Sequence, residues 1–530
     1  MTFDLVLRGG LIVDGTGGPP RRADVGVVDG AVAALADLSS AEAAEVIDVA
    51  GRAVAPGFID AHTHSDLAAL LPVQWQAIPL APLRQGVTTE VCGNCGESPF
   101  PTTPAHRAAS NSNTDAVFQV GIGALESFDA YAQTMSVRPL PTNQAPMVGH
   151  GSLRGAAMGF DNRPADAAEF ATMLRLAREA FEQGAFGLSS GLIYAPGLYA
   201  PEQELVELAM VAAAFGAPYV SHMRDEADLV ADAIEEALRI GRTSGAGVHI
   251  SHHKLAGRRN WGRSAETLGM LDRARSGGQD VTVDVYPYTA GSTSLHALLP
   301  PWTNDGGIAA VLARVAGADV RARIDRDLRT GLPGWQNIAG PAGWDNVVIA
   351  GSPAAPEIEG LSVAELSDAT GRAPVDTVCD IIIADGARTV VVLHMMSDDD
   401  VGSIRDWPAA MVGSDGVPVP GKPHPRLAGT FARAVRAPNP ADPWAGLPER
   451  VRRMTSMPAE RYRIPRRGTL AVGAAADIVV FDPATVTDRA TYVDPLLPPE
   501  GVEHVFVAGV AGIRTGRPTG SYAGQVLRAR

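Results

Sequence analysis

Apolar and polar positions change rhythm along this chain. Near the start, FDLVLRGGLIVDGTG alternates apolar with polar residues and turns on Gly and Asp, and ADVGVVDGAVAAL adds further short apolar runs. Near the end, AADIVVFDP and VEHVFVAGVAGIRTGRPTG repeat the pattern: a short apolar run, a glycine, a second short run, then Thr-Gly. Side chains two apart share one face of a strand, so these segments predict short β-strands bounded by turns. Short strands need partners to bury that face, which predicts one small β domain assembled from both ends of the chain.

The middle of the chain has a different beat. Eight β-rich runs end in polar or glycine residues and are mostly followed by helical spacing: 54–64, 86–94, 145–151, 185–192, 218–223, 247–254, 280–288 and 409–415. Between them, Phe170, Met173, Leu174, Ala177 and Phe181 recur at helical intervals, with Gly184 where a C-cap belongs. Val230, Ile234, Ala237 and Leu238 predict a second such helix, closing before Gly241. Eight strands alternating with helices predict an α/β fold, a parallel (β/α)8 TIM-like barrel. A doubly wound open sheet is the second choice, lowered because no G-x-G-x-x-G opens a helix after the first strand. More than a hundred residues separate the seventh run from the eighth. Residues 296–345, with Pro, Gly, Trp and an Arg-rich helix, are expected to be an inserted excursion and a candidate lid. NVVIAG and TVVVLHMM, farther on, are strand-like and compete with this numbering of strands.

Composition narrows the function classes. At 530 residues, with 46% hydrophobic residues, the chain can bury one large core plus a satellite. The formal net charge of −15 and the lack of any long Lys/Arg run argue against nucleic acid and an anionic membrane surface as partners. No apolar run reaches the roughly 18 residues of a membrane span, and MTFDLVLRGG lacks the features of a signal peptide. Three cysteines cannot form a disulfide framework, so a cytoplasmic protein is expected, monomeric or oligomeric.

In a parallel barrel the chemistry sits at the carboxyl ends of the strands, and metal-ligating side chains recur there. The first run ends in His62-Thr63-His64, the second near Cys95, the fifth at His222, the sixth at His252 or His253, and the eighth at Asp415. One such histidine is commonly a hydrogen-bonded core residue. Imidazole, thiolate and carboxylate converging on one rim are the donor set of zinc. The C-x-x-C of Cys92 and Cys95 is then incidental. A structural zinc site lacks its second pair, a thioredoxin-like dithiol belongs in a smaller domain, and Cys92 on the strand is expected to be buried as a small hydrophobe.

The motifs GFIDAHTHSD, GVTTEVCGNCGESP, GHGSLR, SSGLIY, SHMRDE, SHHK, DVYPYTAGST, GSDG, HPR and RGTLAVGAAADIVVFDP, in that order, resemble the N-acyl-D-amino-acid deacylases (D-aminoacylases) of the amidohydrolase superfamily. The resemblance implies a zinc-dependent catalytic barrel over about 57–467 and a small β-sandwich over 1–56 and 468–530. It also implies hydrolysis of small-molecule N-acyl-D-amino acids to a carboxylate and a free D-amino acid. It matches Cys95, His222 and His252 to a tightly held zinc, and His62 and His64, with Asp415 close by, to a second, weaker position. The fourth strand ends in SSGL and offers no bridging lysine, unlike most two-metal members of the superfamily.

Roles follow for the remaining residues. Asp415 is the candidate general base and acid, and Tyr194 the candidate donor to the developing oxyanion. Arg426 in KPHPR suits a bidentate carboxylate contact, and Lys254 shares the side of His252 if the strand continues. The resemblance adds Tyr286 and Ser292 as hydroxyl donors, with Tyr288 competing with Tyr286. Arg224, Glu226, His150 and Trp261 each have a plain structural reading beside a role near the site. Rival functions are a cyclic amidase opening a hydantoin or dihydropyrimidine ring, a non-catalytic barrel scaffold, and, last, a dithiol oxidoreductase.

Overall fold

The computed structural model describes residues 2–529. Each of the eight runs coincides with a strand, the third starting two residues before its run: β1 (Phe58–Asp60), β2 (Val87–Cys92), β3 (Asn143–Pro146, continuing as Val148–Gly149), β4 (Leu188–Gly191), β5 (Tyr219–His222), β6 (Val248–Ile250), β7 (Val281–Val285) and β8 (Ala410–Val412). They are parallel, and each lies beside the next in chain order. β8 also lies against the segment after β1, where the Ala61 N–H donates to the Val412 carbonyl at 3.3 Å and Thr63 bridges Gly416. Near-continuous runs such as VTTEVC are buried along their whole length, as expected of parallel strands covered on both faces. The architecture is a mixed α/β fold.

The helices between strands follow their sequence signals, with one correction. Ala167–Gln183 starts on a capping box: the Asp166 side chain accepts from the Ala168 and Glu169 amides, and Glu169 accepts from the Asp166 amide. It ends on left-handed Gly184. The second helix does not close before Gly241; it spans Val230–Ser244 and ends on Gly245. Gly241 is a packing glycine, since a Cβ there would lie 2.2 Å from a Val248 methyl on β6.

The two competing strand-like pieces stand outside the parallel set. Val347–Gly351 and Val390–His394 form an antiparallel sheet with Ala290–Ser294. The segment before them carries the helices Ile308–Val315 and Ala318–Thr330, whose Val311, Val315, Ile324 and Leu328 join the same apolar core as the parallel strands.

Strands from the two ends of the chain do pair. Ala53–Pro56 runs antiparallel to Ile478–Phe481, with Val54 opposite Val480, within a seven-stranded sheet. A four-stranded sheet of Ala31–Ala36, Asp24–Val28, Phe3–Arg8 and Ala43–Asp48 contributes Leu5, Leu7, Val25 and Val27 to a core shared with Ile478, Val480 and Phe506. Among the described residues, no helix is long and apolar enough to cross a membrane.

Candidate metal centre and active site

The carboxyl ends of the parallel strands gather the ionisable side chains into one connected cluster. His62 Nε2 and His252 Nε2 each lie 3.4 Å from Cys95 Sγ, and His252 Nε2 lies 2.9 Å from His222 Nδ1. On the other side, Asp415 Oδ1 lies 3.2 Å from His64 Nε2 and 3.5 Å from His62 Nε2. Arg426, fully buried, places Nη1 2.9 Å from Asp415 Oδ2, at ion-pair distance without the alignment of a hydrogen bond.

The backbone is bent to present these groups. Cys95, His252 and Asp415 each adopt a left-handed conformation, at φ 53°, 35° and 50°. Such angles are uncommon for residues other than glycine and persist where the surroundings hold them in place. Gly191, ending β4, makes room for the Cys95 turn, because a Cβ there would sit 1.9 Å from the Cys95 carbonyl oxygen.

A layer of carboxylates and a lysine orients the imidazoles. Asp284, inside β7, reaches His249 Nε2 at 2.9 Å and His62 Nδ1 at 3.3 Å, and accepts the His252 backbone N–H. Glu226 Oε1 lies 2.9 Å from His252 Nδ1 and 2.6 Å from Lys254 Nζ, and its other oxygen lies 3.6 Å from His222 Nε2. Asp60 accepts the amides of His62 and Ser414.

Proximity sets the charges. Burial alone would raise the Cys95 thiol, but the His62 and His252 imidazoles outweigh it and hold the thiol well below its usual range. Burial would likewise raise Asp415, yet the Arg426 guanidinium and the surrounding imidazoles hold its carboxyl well below the usual carboxylate range. Against the same desolvation, Asp415 and Cys95 lift His64 to about 9.

These donors fit zinc. Cys95, His62 and His252 hold their ligand atoms within 4.8 Å of one another, as do His62, His64 and Asp415, and as do His222, Glu226 and His252. Zinc–sulfur and zinc–nitrogen bonds of about 2.3 and about 2.0 Å at a tetrahedral angle separate the two ligand atoms by about 3.5 Å. Both thiol–imidazole contacts here match that spacing. The buried His222 Nε2 has no hydrogen-bond partner among the described residues. His62 belongs to two of these three groupings, as does His252.

The pocket over the cluster is lined by Lys254, Tyr286, Ser292 and Tyr194 together with His64, Cys95, His222, His252 and Asp415. The Tyr286 hydroxyl and the Ser292 Oγ are buried with no hydrogen-bond partner among the described residues, and Arg426 stacks over the Tyr286 ring at 4.5 Å. The Tyr194 hydroxyl lies 3.0 Å from Thr293 Oγ1, and its ring packs edge-on against His222. Tyr288 points away, its hydroxyl donating to Asp488. His150 is tied to Glu204 beside Arg154, Arg224 clamps Glu236 and two carbonyls, and Trp261 is partly exposed with its indole N–H on the Met395 carbonyl. Cys92 is a buried free thiol.

Sequence reading did not find Asp284, His249, Asp60 or the buried Glu97. A signal existed for Asp284: a carboxylate in VTVDV, among valines of a wholly buried strand, requires a partner.

The Amidohydrolase family model matches residues 45–511. Over 99% of this chain and 96% of its own length, the N-acyl-D-glutamate deacylase of Alcaligenes xylosoxydans xylosoxydans is 38% identical. The D-aminoacylase of the same organism is also 38% identical, over 99% and 97%. Among solved structures, N-acyl-D-glutamate deacylase from Bordetella bronchiseptica, complexed with zinc and a phosphonate inhibitor that mimics the tetrahedral intermediate, superimposes with a TM-score of 0.82 at 36% identity, covering the whole of both chains. The chain belongs to the amidohydrolase family.

Proposed function

We propose that this protein is a zinc-dependent hydrolase of the linear amide bond of N-acyl-D-amino acids, releasing a carboxylate and a free D-amino acid. The observation that carries the reading is the run of contacts from His64 through Asp415, His62, Cys95 and His252 to His222 under one pocket. The full-length relatives named for this reaction supply the substrate class and its D configuration.

Two further features of the fold support that assignment. The eight parallel strands are read as a closed barrel within 57–467, supported by the contacts of Ala61 with Val412 and of Thr63 with Gly416. The terminal segments, 1–56 and 468–530, are read as a small β-sandwich, supported by the Val54–Val480 pairing. Three buried thiols suit a reducing cytoplasm.

Cys95, His222 and His252 would hold the tighter ion, and His62, His64 and Asp415 a weaker one. Bound zinc supplies a polarised carbonyl and a water acidified towards a pKa of about 7. Asp415, oriented by His64 and Arg426, takes the proton of the attacking water and returns it to the departing amine. Tyr194 donates to the oxygen on which negative charge develops. Lys254, Arg426, Tyr286 and Ser292 surround the place where the substrate carboxylate is held, with Tyr286 and Ser292 presenting unpaired hydroxyls. A bridging lysine has no place at β4, where Ser189 donates to the Gly93 carbonyl and Ser190 contacts Tyr219.

Free-amine release from paired N-acetyl-D- and N-acetyl-L-amino acids tests this reading, before chelation, after it, and after zinc is restored. Turnover of the D forms only, lost on chelation and regained with zinc, is expected. Intact D substrates in every condition would overturn it.

A further inference from the structure

The reaction does not by itself say which D-side chain is accepted; this inference rests on the function proposed above and narrows it. Every N-acyl amino acid brings one carboxylate into the site, and an acidic side chain brings a second. Apart from the imidazoles that would hold metal, the site has two cationic side chains within reach, and both are engaged. Lys254 lies 2.6 Å from Glu226, and Arg426 lies 2.9 Å from Asp415. His296, also on the pocket wall and half-buried, is kept neutral by desolvation, its value lowered to about 4.

The segment 296–345 is the natural source of a further cation, and its five arginines all point elsewhere. Arg314 donates to the Thr303 carbonyl, Arg321 pairs with Asp380 at 2.9 Å, and Arg329 pairs with Asp325 at 2.6 Å. Arg323 and Arg326 both approach Asp327. None of the five lines the pocket. Toward the pocket this segment and its neighbours present Phe160, Ile193, Ile308, Ile338, Leu393 and Met395 with the neutral polar Asn113, Thr293, Ser294 and Asn304, and no further lysine or arginine. The acids on the same wall add no counter-charge: Glu226 and Asp415 already hold Lys254 and Arg426, and burial raises Glu97 to about 8.

We propose that the accepted D-side chain is apolar and uncharged, of the class of leucine, methionine and phenylalanine, and that N-acyl-D-glutamate and N-acyl-D-aspartate are poor substrates. A carboxylate moved from water onto apolar walls without a partner loses its hydration and gains nothing in return. The first carboxylate can use the donors grouped around Lys254, Arg426, Tyr286 and Ser292; the second meets neutral groups and no counter-charge.

The test is kcat/KM of the full-length, zinc-loaded enzyme for N-acetyl-D-leucine, N-acetyl-D-methionine, N-acetyl-D-phenylalanine, N-acetyl-D-glutamate and N-acetyl-D-aspartate. The apolar substrates are expected to exceed the acidic ones by about a hundredfold or more. Acidic substrates turned over as well as the apolar ones, or better, would overturn this inference while leaving the deacylase reading in place. No turnover of any D substrate would overturn the deacylase reading, and the side-chain preference with it.

Discussion

The parallel strands have two ends, and both are rich in charge. At the amino ends lies an open cleft of about 1250 Å³, bordered by Arg242, Arg273, Arg275, Arg461, Glu235 and Asp280. There Arg242 pairs with Glu235, and Arg461 pairs with Asp280, each at 2.5 Å. The helices Val230–Ser244 and Ser264–Ser276 end beside this cleft with Arg242, Arg273 and Arg275 in their last turns, where cations complement the carbonyl end of the helix dipole. At the carboxyl ends the space is smaller and the charges are buried. Asp415 contacts His64, His62 and Arg426; Glu226 contacts His222, His252 and Lys254; Asp284 contacts His62 and His249. Neither the larger cavity nor the number of charges marks the end built for chemistry. Desolvation combined with shared partners does, because only there does one group's charge state depend strongly on its neighbours.

The sharpest way to break this contrast is Asp415→Asn. The amide keeps the shape but cannot accept the water's proton, so kcat is expected to fall by about 10²–10⁴, with the tightly held zinc retained by metal analysis. Wild-type turnover in this variant would remove Asp415 from the proton path and leave the carboxyl-end cluster a metal site only.

A second comparison concerns stability. Just behind the carboxyl-end site, Glu204 lies 2.8 Å from His150 and 2.7 Å from the fully buried Arg154. Burial alone would raise the Glu204 carboxyl, but the His150 hydrogen bond and the Arg154 charge hold it below its usual value. A carboxyl depressed in the folded state stabilises fully above its unfolded value, about 4.3, and that contribution is lost as pH falls through the folded value. Glu204→Gln leaves Arg154 buried without its counter-charge and is expected to cost about 3–5 kcal/mol in urea denaturation at pH 7. The difference from wild type should shrink on acidification below about 4.3. An equal difference at both pH values would show that packing, not charge, holds this triad.

Most of the fold was legible because the two-residue and 3.6-residue periods are local. Seven of the eight parallel strands fall within the runs read from the pattern, and β3 begins two residues before its run, at Asn143. Gly241 misled because a glycine can end a helix or permit a close helix–strand contact, and only the position of Val248 distinguishes the two. The candidate ligands were legible because they follow strand ends directly. Their supports were not: Asp284 reaches His62 across 222 residues of chain, a pairing that no local pattern contains. The Arg-rich helix of 296–345 shows the same limit, since only the fold reveals that most of its arginines pair with aspartates.

Asp284→Asn tests that hidden support. Carboxylates behind metal-ligating imidazoles fix their orientation and basicity, and losing one costs about 10–100-fold in metal affinity. Zinc titration against a competing chelator is expected to show a weakening of that size. An unchanged affinity would mean that His62 is oriented by the backbone alone and that Asp284 serves β7 and His249.

The smallest effect is expected at the opposite end. Asp280 is largely exposed, so its pair with Arg461 is screened by water and salt. Asp280→Asn should change stability by no more than about 1 kcal/mol, and less at high salt, because an exposed ion pair contributes little. Turnover should remain at the wild-type rate, since the substitution lies at the amino end of β7 while Asp284 and Tyr286 act at its carboxyl end. A fall in kcat would instead require coupling along β7, and the cleft at the amino ends would then belong to the working parts of the enzyme. With kcat unmoved and stability nearly so, the same strand carries exposed, screened charge at one end and buried, shared charge at the other. Only the second is built for chemistry.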